Sequence, residues 1–65
     1  MKLTAKQVNY IVDTQKKNGV SKLRQAKTEL EDKNVDKAEI LFNQAELYFH
    51  SAESVLKNWN ELQKK

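Results

Sequence analysis

DKAEILFNQAELYFHSAESVLKNWNEL, residues 36–62, is the longest stretch of the chain that keeps a single hydrophobic period. Ala38, Leu41, Ala45, Tyr48, Ala52, Val55, Trp59 and Leu62 follow one another at alternating steps of three and four, the spacing of one seam on an α-helix. Phe42, Phe49 and Leu56 run beside that seam at steps of seven and widen it into a broad apolar face. Neither Gly nor Pro interrupts it. At 1.5 Å per residue such a helix is about 40 Å long. An apolar strip of that length needs a cover, which has to come from the rest of the chain, from a second copy or from a partner.

Working back from this helix, Lys33-Asn34-Val35-Asp36 reads as a turn. Asp36 is placed to cap the long helix, with Glu39 completing an acidic capping box and Val35 facing Ile40 as a hydrophobic staple. At the other end of the chain, Thr4 and Gln7 form a capping box flanked by Leu3 and Val8, so a first helix starts there. Its apolar face is narrow: Val8, Ile11 and Val12, with Tyr10 to one side. Asn18-Gly19 is the strongest punctuation in the chain and predicts a C-terminal cap with Gly in the left-handed region. Ser21 can then cap a second helix carrying Val20, Leu23, Ala26 and Leu30. The stripe stays in phase across Gly19, so one bent helix over 5–32 is the alternative; a glycine inside a helix costs only about 1 kcal/mol. The reading favours a break.

The expected fold is therefore all-α: one small domain over 1–65, a three-helix bundle with helices at about 5–18, 21–32 and 37–62. The long C-terminal helix packs antiparallel against the two shorter ones. Pairing residues whose numbers sum to about 69 brings Leu30 near Ala38, Ala26 near Phe42, Leu23 near Ala45 and Val20 near Phe49. Farther out, Ile11 meets Trp59 and Val8 meets Leu62, so large residues oppose small ones. Two thin helices cannot cover every aromatic, and Ile40 and Leu47 lie off the main seam. An apolar surplus on so small a chain marks an interface, and the expectation is a homodimer or docking on another protein. Ile40, Leu47, Phe42, Phe49 and Trp59 are the candidate partner-binding residues.

Composition narrows the function further. The chain has 65 residues, 38% hydrophobic and 32% charged, one Gly, no Pro and no Cys. The absence of cysteine excludes a disulfide framework and thiolate chemistry and fits a reducing cytoplasm. Met1-Lys2-Leu3 gives way at once to polar residues, which predicts no secretory leader. Apolar runs are far too short to span a membrane. The expected location is cytoplasmic. The Lys64-Lys65 tail complements the helix dipole.

No constellation supports catalysis, and the expectation is a non-enzyme without cofactor, metal or small-molecule substrate. His50, the single histidine, lies on the polar side of the long helix near Glu46 and Glu53 and lacks a second His or Cys to complete a metal site. Ser21, Ser51 and Ser54 have no neighbouring base in a strained loop, and one glycine cannot make a phosphate-cradling loop.

Charge is uneven. Residues 1–33 hold eight Lys or Arg against four acids, and the five basic residues Lys16, Lys17, Lys22, Arg24 and Lys27 fall between Thr14 and Thr28 with no acid among them. Gly19-Val20-Ser21 at the centre of this belt resembles the turn of helix-turn-helix DNA-binding proteins, whose following helix enters the major groove. The resemblance covers about a dozen residues and departs from the pattern at Gln15, Asn18 and Gln25. It implies that Ser21, Lys22, Arg24 and Gln25 face phosphates or bases. The leading expectation is a small regulator or inhibitor acting by protein–protein contact. Nucleic-acid binding through the basic belt is the second.

Overall fold

In the computed structural model, which describes residues 3–63, the chain is a hairpin of two helices. They are α1, Ala5–Glu31, and α2, Val35–Gln63. There is no third helix among the described residues, and the expected break at Gly19 is absent. The all-α class holds; the three-helix bundle does not. The readings placed on Met1, Lys2, Lys64 and Lys65 lie outside the described residues.

α1 begins where the capping box places it. The Thr4 side chain accepts from the Gln7 amide at 3.1 Å, and the Thr4 amide donates to Gln7 Oε1 at 2.8 Å. The helix then runs straight through Asn18-Gly19, whose φ is not positive. The reason is tertiary. A Cβ built on Gly19 would stand 2.7 Å from Phe49 Cε1 and 2.8 Å from its Cζ. The aromatic ring of α2 occupies the space that any larger residue would need. Glycine here is a seat for a ring, and its helix-propensity deficit of about 1 kcal/mol is too small to stop a helix held by packing.

The left-handed residue of the chain is instead Lys33, with φ 64°. The Lys33 amide donates to the Leu30 carbonyl at 3.0 Å and the Asn34 amide to the Glu29 carbonyl at 2.8 Å. This pair of bonds closes a helix through a left-handed residue. A side chain in that conformation costs about 1 kcal/mol relative to glycine, which is why the sequence gives little warning of it. α2 starts at once: the Ala38 amide donates to the Asn34 carbonyl at 3.0 Å. Asp36 therefore sits inside the first turn, favourable to the helix dipole, rather than capping it as expected.

The two helices run antiparallel over a body with principal extents of 50 × 16 × 14 Å. At Gly19, opposite Phe49, the pairing rule holds to within one residue; at the open end Trp59, expected against Ile11, instead bonds Leu3. The interior, however, is made of small side chains. Val8, Gly19 and Ala26 are buried from α1, and Ala38, Ala45 and Ala52 from α2, with Ala45 wholly inaccessible. Around them Val12, Gln15, Lys22, Glu29, Leu41, Tyr48, Val55 and Trp59 are half-buried. On α1 the sequence 8, 12, 15, 19, 22, 26, 29 alternates steps of four and three, a heptad seam like that of α2. Three of its positions are polar, Gln15, Lys22 and Glu29, and Gln15 Oε1 is buried without a hydrogen-bond partner.

Two substitutions test this account. Gly19→Ala is expected to lower stability by about 1 kcal/mol, because overpacking outweighs the helix-propensity gain. In a Phe49→Leu background the same change becomes stabilising, so a urea-denaturation double-mutant cycle departs from additivity, the double variant being more stable than the sum of the single effects. Lys33→Gly should raise stability by about 0.5–1 kcal/mol by relieving the left-handed side chain. A destabilising result would place the helix end elsewhere.

Candidate interaction surface

Because alanine and glycine fill the seam, the large apolar side chains are displaced to its flanks. Leu30, Val35, Phe42 and Leu56 are exposed to between 46% and 60%. Val35, Phe42, Phe49 and Leu56 are spaced by sevens, and in a heptad helix they form one stripe beside the alanine seam. Leu23 and Leu30 hold the equivalent flank of α1. The two flanks belong to the same side of the hairpin: Ala26 and Leu30 line one concavity with Val35, Ala38 and Phe42. The result is an apolar face that runs from the turn toward the open end.

The five candidate residues of α2 do not form one patch. Phe42 lies on this face and is half exposed. Phe49 is half-buried against Gly19. Trp59 is also half-buried, and its indole N–H donates to the Leu3 carbonyl at 3.0 Å, tying the start of the chain to the last turns of α2. Ile40 and Leu47 are exposed to 58% and 67%, but two residues along a helix is a rotation of about 200°. They fall on the opposite side from Phe42 and Phe49. There Leu47 shares a shallow concavity with Gln15, Lys22, Gln44, Tyr48 and Ser51. That second side is mostly uncharged polar, and the hairpin is two-faced.

Leu30, Val35 and Leu56 were not among the sequence candidates. For Val35 and Leu56 the signal is their sevenfold spacing with Phe42 and Phe49; Leu30, on α1, joins them only through the packing of the two helices.

The basic belt is dispersed. Lys16, Lys17 and Arg24 lie exposed on the outside of α1 around one open concavity with Asp13 and Val20. Lys17 Nζ is 3.1 Å from Asp13 Oδ2. Lys22 is half-buried on the polar side, and Lys27 is exposed. Gly19-Val20-Ser21 is the middle of a continuous helix, so the turn that the helix-turn-helix resemblance requires does not exist. His50 is exposed with Nδ1 3.9 Å from Glu53 Oε2, a side-by-side pair on one helix. Among the described residues no cluster of His, Cys, Asp and Glu is arranged to hold a metal, and no helix is long and apolar enough to cross a membrane.

No family model matches the chain, and neither a curated protein nor a solved structure is significantly similar to it.

One polar cluster closes the turn. Asn34 Nδ2 donates to Glu29 Oε2 at 2.9 Å, and Lys37 Nζ lies 3.5 Å from Glu29 Oε1. The Asn34 hydrogen bond, followed by the Lys37 charge, holds the Glu29 carboxyl below its ordinary value of 4.5. A carboxylate that keeps its charge more firmly when folded stabilises the fold fully above its unfolded pKa and loses that contribution as acid protonates it. Glu29→Gln should therefore lower Tm at neutral pH, and its difference from the parent should shrink below a pH of about 4.5. A difference that stays constant down to pH about 3 would remove Glu29 from the turn's electrostatics.

Proposed function

We propose that the protein is a non-enzymatic protein–protein interaction module, a small regulator or inhibitor. It engages its partner through apolar residues that the hairpin leaves outside its own seam. The single observation that supports this is the inversion of sizes: alanine and glycine, with Val8, lie inside, while Leu30 of α1 and Val35, Phe42 and Leu56 of α2 lie exposed on one side. Soluble monomers rarely leave a continuous apolar strip in water unless it has an occupant. The absence of cysteine accords with action in a reducing compartment such as the cytoplasm.

The second reading is nucleic-acid binding. It is supported by the net charge of +3 and the exposed Lys16, Lys17 and Arg24. The five basic residues point to different sides, and Lys17 is paired with Asp13, so the protein reading is favoured.

A photo-crosslinking amino acid such as benzoylphenylalanine at Phe42, irradiated in the producing cell, should give discrete protein adducts that survive nuclease. The same probe at Tyr10, on the outside of α1, should not. Adducts that vanish with nuclease would overturn the proposal. So would duplex binding that weakens steeply with salt and is lost in the Lys16→Glu, Lys17→Glu double variant.

A further inference from the structure

We infer that the occupant of the apolar face is a second copy of this chain, stacked face to face with its two-fold axis parallel to the hairpin; this rests on the interaction-module reading above. Size is the first argument. The whole side of the hairpin that carries this face, roughly 50 by 16 Å, outlines on the order of 800 Å², the area that each partner contributes to a standard interface.

Charge is the second, and it selects the geometry. The outer edge of this face on α2 is acidic: Glu39, Glu46 and Glu53, spaced by sevens next to the phenylalanine stripe and all exposed. Glu39 borders the same concavity as Leu30 and Phe42, and Glu53 borders another with Leu56. The edge on α1 is net basic: Lys16 and Lys27 are exposed, and Asp13, which shares a concavity with Lys16 and Val20, is paired with Lys17. Two hairpins can stack these faces about a two-fold axis in two ways. An axis across the hairpins sets α1 on α1 and α2 on α2, so lysines meet lysines and glutamates meet glutamates. An axis along the hairpins sets α1 of each copy on α2 of the other, and each basic edge meets an acidic one.

Register supplies the third argument. Gly19 stands level with Phe49, and a two-fold axis along the hairpin preserves height. Lys16 then lies within about one residue of the level of Glu53 in the second copy, and Lys27 within about two of Glu39, offsets of roughly 1.5 and 3 Å. Leu23 and Leu30 fall into the gaps of the second copy's stripe, Leu23 between Phe42 and Phe49, Leu30 between Val35 and Phe42. Knobs at the height of holes are what a four-helix bundle needs.

Sedimentation at micromolar concentration should report twice the chain mass of 7.6 kDa. Leu30→Glu with Phe42→Glu, both at exposed positions, should keep the helical circular dichroism and weaken pairing at least about a hundredfold. Ile40→Glu with Leu47→Glu, on the other side, should leave the mass unchanged. Because the chain has no cysteine, Lys16→Cys and Glu53→Cys can each be made alone. A short bis-maleimide should join the two variants when mixed, and neither variant to itself.

Self-pairing is overturned by a monomeric parent chain; the face-to-face stacking is overturned by loss of the dimer in the Ile40, Leu47 variant, or by self-linking of either cysteine variant without mixed product. A monomer that still gives nuclease-resistant adducts at Phe42 with other proteins sinks the second-copy inference and leaves the interaction module standing. A monomer with no such adducts sinks both.

Discussion

The structure depends on how closely two helix backbones approach each other. Ala38, Ala45 and Ala52 on α2 face Gly19 and Ala26 on α1, and each small residue removes a spacer that would hold the helices apart. Close approach gives good dispersion contact along the seam but buries little area per residue. A 65-residue chain has a small interior in any case, and here the bulk of its apolar volume is left on the outside. The exposed apolar row is thus a consequence of the packing: small residues took the inside, and Phe42, Leu30, Val35 and Leu56 stayed outside the seam.

The same constraint explains the chain's single glycine. At Gly19 the backbone makes room for the Phe49 ring, which bridges the seam and the apolar face. The tight turn, where a glycine would be at ease, is carried by Lys33 in the left-handed region and stabilised by the Asn34–Glu29–Lys37 cluster. The chain has one residue free of side-chain conflict and uses it for packing, and the strain of the turn is absorbed by hydrogen bonds. The polar seam positions belong to this pattern too. Gln15, Lys22 and Glu29 keep α1 from closing its whole length with apolar residues; all three are half-buried, and Gln15 keeps its Oε1 inside the seam.

Two-facedness is what gives the hairpin a direction. One side is apolar between an acidic and a basic edge; the other is largely uncharged, with Gln15, Gln44 and Ser51 around Leu47. The apolar side offers area and charge complementarity together. The activity proposed is accordingly one of surfaces.

The sequence by itself determined the helical class, the capping box at Thr4, the seam of α2, the antiparallel pairing at Gly19 and Phe49 to within one residue and the presence of an apolar surplus. These follow from local hydrogen bonding and from the 3.6-residue period, which any stretch of chain carries within itself. Only the tertiary structure decided that α1 is continuous, that Lys33 rather than Gly19 takes the left-handed conformation, and that Val8, Gly19 and four alanines are the residues the seam buries. Each of those depends on the distance between two helices. That distance is set by which small residues meet across the seam, and no single stretch of sequence contains both sides of the contact.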